Sequence, residues 1–70
     1  MRIYEKLKKY IDEKGIKQTY ISEKTKIPAN TLNMILNGKR KLEVEEFEII
    51  CLALEIKPRL IMNTIEEREG

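Results

Sequence analysis

Residues 15–38, GIKQTYISEKTKIPANTLNMILNG, constrain this chain more than any other stretch. Two glycines bracket two short helical patterns, which are joined by a tight turn. The basic cluster Lys39-Arg40-Lys41 follows at once. A helix laid across another beside a basic loop is an arrangement that can offer one helix to the major groove of DNA.

The punctuation of the rest of the chain agrees with an all-α fold. Gly15 and Gly38 each follow a helical pattern, as glycines just past a helix end do. Pro28 and Pro58 each stand near the start of one, where a missing N–H is harmless. This spacing predicts five helices and no strands. Helix 1 is expected over Ile3–Lys14, with Ile3, Leu7, Tyr10 and Ile11 as its apolar stripe. Helix 2 is expected over Gln18–Thr25, burying Ile21, with Ser22 as a further inward candidate. Helix 3 is expected over Ala29–Leu36, with Leu32, Ile35 and Leu36 inward and Ala29, Asn30, Asn33 and Met34 outward. Helix 4, from Val44 to about Leu54, is expected to bury Val44, Phe47, Ile50, Cys51 and Leu54. Helix 5 is expected from about Pro58 to Arg68, fraying beyond Ile65 because nothing after it is apolar.

Seventy residues suit one domain spanning 1–70, and 41% apolar residues suffice for a small core. The longest apolar run, Ile49–Leu54, is far too short to cross a bilayer. No apolar stretch follows the first basic residues, so no secretory signal is expected. The single cysteine suits a reducing cytoplasm. Net charge is only +2, but residues 1–41 carry +7 and residues 42–70 carry −5. A dipolar chain of this kind turns its first half toward a polyanion. The same lysines could also be no more than solvated helix faces.

The register of residues 15–41 resembles the Cro/C1-type, phage-repressor-like helix-turn-helix family, over roughly residues 3–62. Gly15, Ile16 and Gln18 match the family's opening pattern. Ile21, Leu32 and Ile35 match its apolar positions, as does Ile27, and Asn37-Gly38 matches the close of its second helix. The resemblance implies a compact lambda-repressor-like domain that binds double-stranded DNA as a transcription regulator. It implies phosphate contacts for Gln18, Thr31, Asn37, Lys39, Arg40 and Lys41. Base reading would fall to Ala29, Asn30, Asn33 and Met34. Asparagine pairs with adenine, and Ala or Met can meet a thymine methyl. With no Arg or Lys on this face, an A·T-rich operator is expected.

Several positions depart from the family pattern. Lys17 stands where a Ser or Thr cap is usual, which forgoes a bond of roughly 1 kcal/mol. Lys26 stands where the turn usually has glycine, implying either strain of about 1 kcal/mol or a different turn. Thr25 replaces a larger apolar residue. Ile11 and Leu36 stand where relatives carry an ion pair, and are expected to touch instead.

Catalysis is not expected. The chain has no histidine, one serine and one cysteine, so a nucleophile lacks an imidazole partner. No cysteine–histidine cluster suits zinc, and Glu43, Glu45, Glu46 and Glu48 lie outside any calcium-type loop. No metal, cofactor or small-molecule substrate is expected. Ile49, Leu52, Leu60, Met62 and Ile65 exceed what one core face needs. Either helix 5 folds over the helix 4 patch within the monomer, or helices 4 and 5 together form a homodimer contact that spaces two reading helices roughly 34 Å apart; the homodimer is the favoured expectation. A role as an antitoxin or protein-interaction adaptor is the alternative use of the same fold.

Overall fold

The computed structural model describes residues 2–62. Four helices follow one another: α1 Ile3–Lys14, α2 Gln18–Thr25, α3 Ala29–Leu36 and α4 Val44–Ala53. A fifth helical segment, α5, covers residues 58–62, and the described residues contain no strand. The expected continuation of helix 5 to Arg68 lies outside the described residues.

The helices form where the 3.6-residue period repeats apolar side chains, and they close around one core. Leu7 and Ile11 of α1, Ile21 of α2, Leu32, Ile35 and Leu36 of α3, and Ile50 and Cys51 of α4 are all fully buried. Ile27, Phe47, Leu54 and Ile61 complete the cluster. The α3 helix packs on both α1 and α2, and α4 packs on α2. Its inward stripe is therefore gripped from two sides while the opposite stripe is left free. Ile11 and Leu36 are both buried in this cluster, on two helices that pack together.

Each of α1 to α4 is followed within two residues by one in the left-handed region, and two of these four are not glycine. Gly15 (φ 67°) and Gly38 (φ 75°) do what their positions predict, while Lys26 (φ 66°) and Glu55 (φ 60°) adopt the same backbone with a side chain attached. After α1, α3 and α4 the chain closes in the paired Schellman pattern. Ile16 N donates to the Ile11 carbonyl, Lys39 N to Met34 and Ile56 N to Cys51. Lys26 is thus strained in the family-like turn, and the turn is not of a different kind.

One residue expected inside is outside. Val44 is 74% exposed, although it stands three residues before buried Phe47. As the first residue of α4 it projects past the end of the core, and Leu42 packs against the core in its place. Among the described residues of α5, one apolar side chain reaches the core. Ile61 is buried in the core, while Leu60 and Met62 stay exposed.

Candidate nucleic-acid interface

The turn between α2 and α3 decides how α3 is presented, and two hydroxyls lace it. Thr25 Oγ1 donates to the Ile21 carbonyl at 2.8 Å and accepts from the Ile27 amide at 3.2 Å. Ser22 Oγ donates to the Ile27 carbonyl at 2.5 Å. Thr25 is buried, so its small size is filled in by hydrogen bonding where a larger apolar residue would have filled by volume. The departure at Thr25 thus has a structural role, and its position four residues after Ile21 and two before Ile27 is the signal in the sequence.

Beyond that turn, the four candidate base-reading residues sit as expected. Ala29, Asn30, Asn33 and Met34 are all exposed. Their spacing places them on one face of α3, opposite buried Leu32, Ile35 and Leu36. Gln18, half-buried, is the first residue of α2, and Lys17 before it makes no side-chain cap bond. The Tyr20 amide is taken by the Lys17 carbonyl at 3.1 Å, which leaves the Gln18 and Thr19 amides for an outside acceptor, where the positive end of the helix dipole favours an anion. Thr31 is half-buried, and Asn37, Lys39, Arg40 and Lys41 are exposed.

Three side chains of this region are joined. Asn33 Nδ2 donates to Gln18 Oε1 at 3.4 Å. Asn37 Nδ2 donates to the Asn33 main-chain carbonyl at 2.8 Å and to Asn33 Oδ1 at 3.3 Å. Two expected phosphate ligands and one expected base reader thus share a single chain of hydrogen bonds.

The basic cluster is not uniform. Arg40 places Nη2 3.0 Å from Glu46 Oε2 and Nη1 3.0 Å from Glu46 Oε1, and Nη1 also reaches the Lys41 carbonyl. Glu46 in turn accepts from the Glu43 amide at 3.0 Å, capping the start of α4. The bond from Arg40, seconded by the Glu43 amide, holds the Glu46 carboxyl below the usual carboxylate range. The same bond raises the already high Arg40 value. Arg40 therefore fastens the loop to α4, whereas Lys39 and Lys41 project into solvent. Sequence reasoning did not foresee this pair.

Gly38 shows why the second helix must end where it does. A Cβ there would lie 2.5 Å from the end of the Tyr4 ring, so the tyrosine of α1 closes directly over the glycine. Positive φ and close approach both select glycine at this one position.

Away from this face, Ile49, Leu52, Leu60 and Met62 are exposed, and Ile65 lies outside the described residues. Cys51 is buried, and burial pushes its thiol up to about 11. Among the described residues no helix is long and apolar enough to cross a membrane.

A family model described as helix-turn-helix matches residues 7–61. No curated protein and no solved structure matches the chain.

Proposed function

Because the chain belongs to the Cro/C1-type helix-turn-helix family of DNA-binding transcription regulators, we propose that it is a bacterial or phage repressor acting in the cytoplasm. On this reading it sets α3 into the major groove of an A·T-rich operator. The observation that carries the reading is the outward stripe of α3. Ala29, Asn30, Asn33 and Met34 are exposed together on a helix whose other face is wholly buried. Gln18 bonds to Asn33 of this stripe, and the exposed Lys39 and Lys41 follow the helix in the next loop.

The division of labour follows from chemistry. Gln18, Thr31, Lys39 and Lys41 supply donors to phosphates, with Asn37 and Arg40 beside them. Phosphate contacts set register and most of the affinity. Asn30 and Asn33 match the acceptor–donor edge of adenine, and Ala29 and Met34 match a thymine methyl. The test is selection of bound duplexes from a random pool, followed by a salt titration. A·T-rich half-sites are expected, with log affinity falling by about 0.9 per phosphate neutralised for each log unit of salt. Recovery of a purely G·C core would refute the operator reading.

Palindromic half-sites are expected too, through a homodimer built on Ile49, Leu52, Leu60 and Met62, with Ile65 as a further candidate. Those exposed apolar residues also support a second reading, an antitoxin or adaptor that grips a protein partner there. Binding that ignores salt, or no binding to any duplex, would favour that second reading.

A further inference from the structure

We propose that Asn37 is a positioning residue for base recognition. Together with Gln18 it holds Asn33 by both ends of its amide, so that Asn33 presents one donor and one acceptor to adenine. The inference deepens the DNA-binding reading and rests on it.

The polarity of the chain follows from one atom. The main-chain carbonyl of Asn33 can only accept, so the Asn37 atom 2.8 Å from it is Nδ2. The second hydrogen of that nitrogen is directed to Asn33 Oδ1 at 3.3 Å. With Oδ1 turned toward Asn37, Asn33 Nδ2 is left facing Gln18, to whose Oε1 it donates. Gln18 Nε2 then points away with its hydrogens available to a phosphate.

An amide offers two donor hydrogens and two acceptor lone pairs. Asn33 spends one of each inside the protein and keeps one of each. That remainder matches adenine, which presents an acceptor at N7 and a donor at N6. It mismatches guanine, whose N7 and O6 are both acceptors, because Oδ1 would then face O6. A free asparagine could also swing away; one tied at both ends cannot do so without breaking bonds.

Asn37 is left with a different capacity. Both of its amide hydrogens are committed to Asn33, and its own Oδ1 is an acceptor, which a phosphate oxygen repels. Its main-chain N–H is also taken, by the Asn33 carbonyl. The residue therefore acts through Asn33, not on the sugar–phosphate backbone as the family resemblance implies.

The experiment compares the wild-type chain with Asn37→Ala, using Asn33→Ala to identify the base pair that Asn33 reads. Asn37 is exposed at φ −102°, a backbone that alanine accepts, so the fold is expected to survive. In the free protein, the side-chain amide resonances of Asn33 are expected to move and to exchange faster with water in Asn37→Ala. On DNA, the adenine preference at the identified base pair is expected to fall by about fivefold or more. Affinity for random duplex is expected to stay within about twofold, with an unchanged salt slope. A uniform loss over all duplexes, with a slope shallower by about 0.9 and the base preference kept, would overturn the proposal and return Asn37 to phosphate binding. Unmoved Asn33 resonances would overturn the positioning role alone. A wild-type chain that binds no duplex would instead overturn the DNA-binding reading, and the adenine assignment with it.

Discussion

Lys26 and Thr25 stand side by side in the turn, and they pull its stability in opposite directions. Lys26 adopts φ 66° with a full side chain, a conformation that costs roughly 1–2 kcal/mol for an L-residue. Glycine would remove that strain and give back part of the gain through a looser unfolded chain. Lys26→Gly is expected to stabilise the fold by about 0.5–1 kcal/mol, read as a rise in Tm of roughly 2–8 °C. Thr25→Val keeps the shape but removes the hydroxyl, which leaves the buried Ile27 amide without its acceptor. A loss of about 1–3 kcal/mol in urea denaturation is expected. Gly38→Ala is expected to cost more than the roughly 1 kcal/mol of backbone strain alone, because Tyr4 must also move. A Tyr4→Ala background should return part of that excess. Of these effects, the strain at Lys26 and the need for glycine at 38 were legible in the sequence. The hydroxyl bonds and the tyrosine lid were not, because they depend on where separate segments meet.

Among the elements, the junction between the basic loop and α4 is the one whose stability titrates. Glu46 holds Arg40 and caps α4, and both contacts depress its proton affinity in the folded state. Its contribution to stability is therefore present above the ordinary carboxylate value and is lost as pH falls through the lower folded value. Melting curves from about pH 7 down to about pH 2.5 should show a smaller acid-side drop in Glu46→Gln than in the wild-type chain. The same junction bears on binding. Arg40 is already matched by a carboxylate, whereas among the described residues Lys39 and Lys41 have no such match. Lys39→Ala and Lys41→Ala are expected to flatten the salt dependence of DNA binding by about 0.9 each. Arg40→Ala is expected to flatten it less. Equal slopes for all three would mean that the carboxylate releases Arg40 on binding. The cluster reads as three equivalent cations in the sequence, and only the ion pair separates them.

At the scale of the whole molecule, one apolar surface has no place in the core. Leu52 is 76% exposed, and Ile49, Leu60 and Met62 are each about half exposed or less. If these residues join two copies, Leu52→Glu should dissociate them while changing monomer stability by no more than about 0.5 kcal/mol. Sedimentation velocity across micromolar concentrations reads the outcome. A wild-type chain that stays monomeric throughout would remove the dimer from the functional reading. The buried thiol offers an independent check on compactness. With Cys51 pushed up to about 11 by burial, alkylation at neutral pH should be slow in the native chain and fast in denaturant.

Helix positions, the inward faces of α1 to α3 and the outward stripe of α3 were determined by the sequence by itself. Each depends on a period of 3.6 residues and on glycine or proline at the ends, all of which act within a few residues of one another. Val44 marks the limit of that rule, since periodicity says which face a residue shares but not where the core stops. The Asn37–Asn33–Gln18 chain, the Arg40–Glu46 pair and the Tyr4–Gly38 contact were decided only by tertiary structure. The Gln18–Asn33 and Tyr4–Gly38 contacts join residues far apart in the chain, and both involve residues on or next to α3, whose direction is set by the burial of Leu32, Ile35 and Leu36. Hydrogen bonds and ion pairs need atoms placed to within a fraction of an ångström, and that precision comes from the assembled core, not from the order of residues along the chain.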